Sequence, residues 1–156
     1  MGTEIERKFL LRDTGFLQNL SGERICQGYL SDAIDATVRV RLIGDQGFLT
    51  IKGRNQGISR SEFEYPIPAA DAEQLLAMCG AGRIDKIRYR IPHAGHLWEV
   101  DVFSGANQGL VLAEIELVSE DEAFARPDWL GEEVSHDPRY FNSQLSRQPF
   151  SSWSSK

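Results

Sequence analysis

The 156-residue sequence contains only two cysteines, Cys26 and Cys79, and they do not form a CxxC motif. Such sparse cysteine usage predicts reduced thiols in an intracellular protein rather than a disulfide framework or a zinc site. No apolar run approaches the roughly 18 residues that a membrane-spanning helix needs. The first residues are charged and enter a strand pattern directly, unlike a signal peptide. We therefore expect a cytoplasmic protein with no membrane partner.

An excess of basic charge is also absent. The formal net charge is -6 and the pI is about 5.1. Binding to a nucleic-acid backbone needs a net basic surface, so nucleic acid is not an expected partner. A small anion in a local basic pocket is still compatible with this balance. The glycine patterns of P-loop enzymes and dinucleotide-binding folds are missing as well.

Charged residues occupy every second position in six stretches of the chain. Successive side chains of a strand point to opposite faces, so residues two apart share a face. The intervening residues are mostly apolar, which gives each strand one apolar and one ionised face. A solvated outer face is the alternative interpretation, but such faces usually mix Thr, Ser, Gln, Lys and Glu. The charged rows are Glu4-Glu6-Lys8, Arg39-Arg41, Glu62-Glu64, Lys86-Arg88-Arg90, Glu99-Asp101 and Glu114-Glu116.

The alternation and the turn residues together predict a mainly β (α+β) fold. Eight antiparallel strands with ionised inner faces favour a closed barrel, a tunnel with a charged interior. A few flanking helices would cover the apolar outer faces. We predict one domain over residues 1–150 and a disordered tail over 151–156. The predicted strands are 3–11, 23–31, 36–43, 47–53, 60–67, 83–91, 97–103 and 111–118.

Three helices are predicted from capping signals. Asp71 with Gln74 resembles a capping box for a helix that ends near Gly80, and Ser119 with Glu122 resembles a second box. Asp137-Pro138 is suited to the N-cap and first position of a short helix that runs through Leu145.

The interior of such a barrel would hold acids and bases in near balance, because eight acids and seven bases, Lys52 included, lie on the predicted inner faces. Buried charges persist only when they are paired or ligated. Arginine and lysine bind phosphate oxygens, and carboxylates bind hard cations such as Mg²⁺ or Mn²⁺. The pattern therefore predicts a cavity for a strongly anionic ligand and its metal ions, with mutual ion pairing as the alternative.

These residues resemble the CYTH superfamily, also called triphosphate tunnel metalloenzymes. Glu4-Ile5-Glu6-Arg7-Lys8 matches the family's ExExK signature, and the later charged rows match in order over about residues 2–147. The segments around Gln27-Gly28-Tyr29-Leu30 and Asp137–Asn142 are similar to the short bacterial branch. The resemblance implies a closed eight-stranded tunnel that cleaves a triphosphate group with Mg²⁺ or Mn²⁺. In this branch the implied substrate is inorganic tripolyphosphate, a small molecule.

The resemblance also implies roles for single residues. Tyr29 is similar to the family's proton acceptor, a task that Lys86 would share, and Glu99 and Arg90 are as well explained by ion pairing. The implied substrate-binding residues are Lys8, Arg39, Arg41, Lys52, Lys86 and Arg88. The implied metal-binding residues are Glu4, Glu6, Glu62, Glu64, Asp101, Glu114 and Glu116, with Glu4 and Glu6 also taking part in catalysis.

Three other functions stay open at this stage. An adenylate cyclase of class IV type and a thiamine triphosphatase use the same scaffold, and a polyphosphate-binding module without turnover belongs to a different class. The sequence does not report whether the protein is a monomer or a homodimer, which metal it prefers, or which of Tyr29 and Lys86 handles the proton.

Overall fold

The computed structural model describes residues 3–33, 35–80 and 82–154. No helix in this part of the chain is long and apolar enough to cross a membrane. The strands are β1 (Thr3–Leu11), β2 (Glu23–Ala33), β3 (Ala36–Ile43), β4 (Gln46–Gly53), β5 (Ser59–Ile67), β6 (Ile84–His93), β7 (His96–Phe103), β8 (Val111–Glu116) and β9 (Leu130–Glu133). The α-helices are α1 (Ala69–Met78) and α2 (Asn142–Arg147), and short 3₁₀ turns span Gly15–Asn19, Gly105–Asn107, Pro138–Tyr140 and Phe150–Ser152.

All strand pairs are antiparallel, and the pairing returns to its start. The order is β5-β4-β3-β2-β6-β7-β8-β1, and β5 pairs again with β1 between Thr3 and Ser61 and between Ile5 and Ser59. Eight strands therefore form a ring, as predicted, with boundaries that differ from the prediction by at most two residues. The short strand β9 pairs with β1 outside this ring. The sequence did not predict it, because four residues with two adjacent glutamates lack a strand pattern.

Much of the hydrophobic core lies on the outer faces of the barrel. Phe9, Trp98 and Ile115 are fully or almost fully buried on β1, β7 and β8, under the loops that precede β2 and β9. On the other side, α1 packs on β2, β3 and β4. Gly47 permits this close approach, since a Cβ there would lie 2.8 Å from that of Ala72. Many outward-pointing apolar side chains are therefore covered by protein, although Phe63 and Ile87 stay exposed.

The interior is divided along its length. Ile84, Phe103 and Leu112 share strand faces with Lys86, Asp101 and Glu114, and they form an apolar cluster at one end of the barrel. The C-terminal segment supplies Tyr140, Leu145 and other side chains to the same cluster. This end of the barrel interior is filled with apolar residues, and the charged rows occupy the rest.

The capping predictions for the first two helices are wrong. No helix follows Ser119, because the Glu122 carboxylate accepts hydrogen bonds from the Val118 amide (2.6 Å) and the His96 ring (2.7 Å), while Phe124 packs on Phe9 and Trp98. These tertiary contacts override the local capping signal. Helix α1 exists, but it begins after Pro68 with no side-chain cap, two residues before Asp71.

The C-terminal segment agrees in part with its prediction. Asp137 does cap, since its carboxylate accepts a hydrogen bond from the Arg139 amide, but it caps a 3₁₀ turn. Phe141 is extended, and this interrupts the predicted helix before α2 begins. In the tail that the sequence predicts to be disordered, Trp153 packs edge-on against Tyr140. Disorder of the tail stays a prediction, and residues 155 and 156 lie outside the described residues.

Candidate functional site: a charged cavity inside the barrel

A cavity of about 260 Å³ lies in the charged part of the barrel. It brings together thirteen of the fourteen residues that the sequence assigned to the site, and Glu99 and Arg90 as well. Asp101 is the exception: it is buried behind the lining, where Arg88 and Lys86 bind its carboxylate. The predicted residues that line the cavity are Glu4, Glu6, Lys8, Tyr29, Arg39, Arg41, Lys52, Glu62, Glu64, Lys86, Arg88, Glu114 and Glu116.

The lining also contains residues that the sequence analysis missed. Thr37 and Arg60 lie two positions before Arg39 and Glu62, so the alternation that selected the charged rows could have found them. The remaining ones come from loops and from the C-terminal segment, and no local pattern brings those segments to the barrel. They are Asn55, Ile58, Ser135, Phe141, Asn142 and Ser143.

Three arginines crowd on one side of the cavity. Arg39 is buried on β3 beside Arg41, and Arg88 projects from β6. Burial, followed by the charges of Arg39 and Arg88, lowers the pKa of Arg41 to about 10. Among the described residues, Arg39 and Arg41 share the carboxylate of Glu64 as their ion-pair partner, at 4.0 Å and 3.2 Å. The buried Nε atoms of Arg39 and Arg41 have no partner in the same part of the chain.

Carboxylates crowd on the opposite side. Glu6 on β1 lies directly across from Glu116 on β8, and neither forms an ion pair within the described part of the chain. Burial, followed by the charges of Glu114 and Glu4, raises the pKa of Glu6 to about 8. The pKa values of Glu116 and Glu62 are raised too, first by burial and then by neighbouring carboxylates. Like charges directly across a strand pair are destabilising, so either a proton or a bound cation would stabilise this pair.

Two buried lysines, Lys52 and Lys8, pair with carboxylates of the lining. Lys52 Nζ lies 2.9 Å from Glu4 Oε1 and 3.7 Å from Glu62 Oε2, and Arg60 also approaches Glu4 at 3.4 Å. Lys8 Nζ lies 3.2 Å from Glu114 Oε2. Burial opposes ionisation of Glu4 and Glu114, but these cations hold the pKa of both carboxyls below its usual range.

A denser network of ion pairs and hydrogen bonds lies where the C-terminal segment borders the cavity. Arg88 binds Asp101 with two hydrogen bonds of 2.8 and 2.9 Å. Lys86 Nζ lies 2.7 Å from Asp101 Oδ2 and donates to Asn142 Oδ1 at 3.1 Å. Burial lowers the pKa of Lys86 to about 8, in spite of Asp101 beside it. Tyr29 lies across the β2–β3 ladder from Arg39 and also lines the cavity.

The carboxylate cluster fits a hard cation in its chemistry. A divalent ion such as Mg²⁺ would stabilise the ionised form of carboxylates whose pKa values are raised. Mg²⁺ also coordinates several waters or phosphate oxygens. Within the described residues, no three His, Cys, Asp or Glu side chains converge closely enough to hold an ion as they are placed. Glu4 is held by Lys52 and Arg60 instead. Rotation of Glu4 or Glu6 about the side-chain bonds is therefore part of what ion binding would require.

Comparison with known proteins identifies the family. The model of the CYTH domain family matches residues 2–144. The chain belongs to the CYTH family. Among curated relatives, an inorganic triphosphatase from Acetivibrio thermocellus is 46% identical over 151 residues, covering 96% of this chain and 97% of the relative. An inorganic triphosphatase from Nitrosomonas europaea is 41% identical and covers 92% of this chain and 97% of the relative.

A solved structure agrees with this assignment. A crystal structure of an inorganic triphosphatase superposes with a TM-score of 0.65 at 38% identity, covering 91% of this chain and 96% of that one. The CYTH resemblance inferred from the charged rows is therefore confirmed.

Proposed function

We propose that this CYTH protein is a divalent-metal-dependent inorganic triphosphatase that cleaves the terminal phosphate of tripolyphosphate inside the barrel. The observation that carries the proposal is the separation of charge in one cavity. Among the described residues, Arg39 and Arg41 share one carboxylate, that of Glu64, whereas Glu6 and Glu116 face each other without an ion pair. A polyanion with its metal ion supplies the missing charges of both signs. The names of the curated relatives support the same activity.

The basic residues would hold the phosphate chain. Arginine binds phosphate oxygens through two parallel hydrogen bonds, and lysine contributes a compact charge. Donors fixed in place before the reaction stabilise the charge that develops on the transferring phosphoryl group. In this proposal the clamp consists of Lys8, Arg39, Arg41, Lys52, Lys86 and Arg88.

The carboxylates that face the cavity would hold the metal ion. A bound Mg²⁺ or Mn²⁺ neutralises phosphate charge and lowers the pKa of a bound water. Glu6 and Glu116 are the first candidates, because they face each other without ion pairs. Glu4, Glu62, Glu64 and Glu114 are within the same lining and would complete the set. We leave Asp101 out of it, since it does not line the cavity and Arg88 and Lys86 bind its carboxylate.

Tyr29 and Lys86 are the candidates for moving a proton. Tyr29 lines the cavity and lies across the β2–β3 ladder from Arg39. Lys86 has a pKa of about 8, so it holds and releases a proton more readily near neutral pH than an ordinary lysine does. We propose that one of the two accepts the proton of the attacking water.

The lining favours inorganic tripolyphosphate over triphosphates that carry an aromatic ring. Tyr29 and Phe141 are the aromatic side chains among the described lining residues. Trp98 and Trp129 contact each other in the outer cluster, and Trp153 packs on Tyr140 at the closed end. A thiamine or adenine ring would thus meet mostly charged side chains, with Tyr29 and Phe141 as the aromatic residues of the described lining. The two free thiols favour a cytoplasmic location for the enzyme.

The test is a substrate panel of tripolyphosphate, ATP and thiamine triphosphate, each with Mg²⁺, with Mn²⁺ and with a chelator. We expect orthophosphate and pyrophosphate from tripolyphosphate, several-fold slower release from the other two, and no release with chelator. Cyclic AMP with pyrophosphate from ATP would identify a cyclase instead. Tight binding of tripolyphosphate without cleavage under any divalent ion would identify a binding module.

A further inference from the structure

Lys86 uses two of its three ammonium donors within the protein. It is 2% exposed. Its Nζ atom contacts Asp101 Oδ2 at 2.7 Å and Asn142 Oδ1 at 3.1 Å. A lysine ammonium has three N–H groups and no acceptor. Nζ also faces the ring of Phe103, 5.4 Å from its centroid, but no third oxygen or nitrogen acceptor occurs among the described residues, and Lys86 lines the cavity. One N–H of Lys86 is therefore left for a ligand in the cavity.

Asn142 is oriented by its two neighbours. Because lysine can only donate, the atom of Asn142 that faces Lys86 must be the oxygen. The same Oδ1 accepts a second hydrogen bond from Gln27 Nε2 at 3.2 Å. The amide group of Asn142 is thus held from two sides, and its NH₂ group is not engaged within the described part of the chain. Asn142 itself lines the cavity at the start of α2.

Stability alone does not account for this polar pair. Gln27 is completely buried, and its Oε1 atom has no partner among the described residues. A buried, unpartnered amide oxygen costs free energy that an apolar side chain of similar size would avoid. Ile84 and Leu145 show that apolar side chains pack nearby at this end of the barrel. The amide pair is better explained by what it does to Lys86.

We propose that Asn142 is a positioning residue for the triphosphatase reaction. With Asp101, it fixes two N–H groups of Lys86, so that the third is directed at a phosphate oxygen in the cavity. The inference rests on the proposed role of Lys86 in the phosphate clamp. It also means that the C-terminal segment contributes to the reaction as well as closing one end of the barrel.

The test compares two substitutions at one position. Asn142→Leu has nearly the same shape but no acceptor, whereas Asn142→Asp keeps an oxygen facing Lys86. We expect Asn142→Leu to lower kcat for tripolyphosphate about 10- to 100-fold, because small displacements of a reacting group have effects of this order. Asn142→Asp should keep kcat within about 3-fold of wild type while raising KM, since the acceptor is retained and the added charge repels the substrate.

Asn107→Ala is the matched control. Asn107 is buried and its Oδ1 accepts a hydrogen bond from the Phe150 amide at 2.8 Å, so it also holds the C-terminal segment, but it does not line the cavity. The control should lower the melting temperature and leave kcat within about 2-fold of wild type. An equal loss of kcat in Asn107→Ala and Asn142→Leu would overturn the inference, as would equal kcat values for the two Asn142 variants.

Failure of the proposed function would look different. A wild-type protein that releases no phosphate from tripolyphosphate with any divalent ion would refute the triphosphatase activity itself. In that case calorimetric affinity for tripolyphosphate takes the place of kcat. We then expect about 10-fold weaker binding by Asn142→Leu, and unchanged affinity would refute the positioning role.

Discussion

Replacing Arg39 by alanine removes one cation from the crowded side of the cavity. Within the protein, this side chain makes a 3.3 Å hydrogen bond to Thr50 Oγ1 and lies 4.0 Å from Glu64, and its Nε is unpartnered among the described residues. Arg39 also contributes to the lowered pKa of Arg41, which reports repulsion between the two. Little folding free energy is therefore lost with Arg39, and the free energy of unfolding should stay within about 1 kcal/mol of wild type.

The loss should appear in substrate binding instead. A charge-assisted hydrogen bond is worth about 1.5–3 kcal/mol, which corresponds to about 10- to 150-fold in affinity. Calorimetric titration of tripolyphosphate into the wild-type protein and into Arg39→Ala measures this difference. Arg24→Ala is the matched control, because Arg24 is exposed and pairs with Asp85 on the outer surface. Unchanged affinity in Arg39→Ala would place Arg39 outside the substrate site and refute the clamp.

Three further predictions concern the carboxylates and one turn. Glu116→Ala should abolish hydrolysis and leave the circular dichroism spectrum unchanged, and wild-type turnover would remove Glu116 from the metal site. Glu6→Gln should reduce turnover at least 100-fold while raising the melting temperature, because it removes one of two unpaired carboxylates that face each other; a lowered melting temperature would contradict that reasoning. Ala94→Asn should raise the free energy of unfolding by about 0.5–1 kcal/mol, measured in urea, since Ala94 has a φ of 49° in a turn that prefers Asn-Gly. A stability below that of wild type would show that the alanine is not strained.

The sequence determines the inner faces of the barrel unusually well. A period of two is easy to recognise when the charged face carries paired acids or paired bases, as with Glu62-Glu64 and Arg39-Arg41. Each predicted inner-face charge that lines the cavity belongs to such a row, except the isolated Lys52 on β4. Asp101 obeys the rule of alternation too. Alternation predicts which face of the strand a side chain is on, but not whether other side chains cover it, so the rule cannot show that Arg88 and Lys86 cover this carboxylate.

The misjudged Glu122 and the overlooked Asn142 share a cause, because both depend on contacts between distant segments. Glu122 fits a capping box locally, yet its carboxylate bonds to His96 on β7. Asn142 lies 56 residues from Lys86 in the chain, and no spacing rule links the two. Such contacts depend on how the loops and the C-terminal segment fold back on the barrel. Local patterns carry no information about that step.

The hydrophobic core and the candidate site use different parts of the barrel. Most apolar burial occurs on the outer faces, under α1 and the loops, and at the closed end. The charged rows add ion pairs whose net contribution to stability is small once desolvation is included. Substitutions in the charged rows should therefore change substrate affinity more than they change the free energy of unfolding. The C-terminal segment differs from the charged rows, because Tyr140 and Leu145 belong to the hydrophobic core whereas Asn142 lines the cavity. Substitutions in this segment should affect both substrate binding and the free energy of unfolding. We therefore expect fewer tolerated substitutions between residues 140 and 145 than in the charged rows.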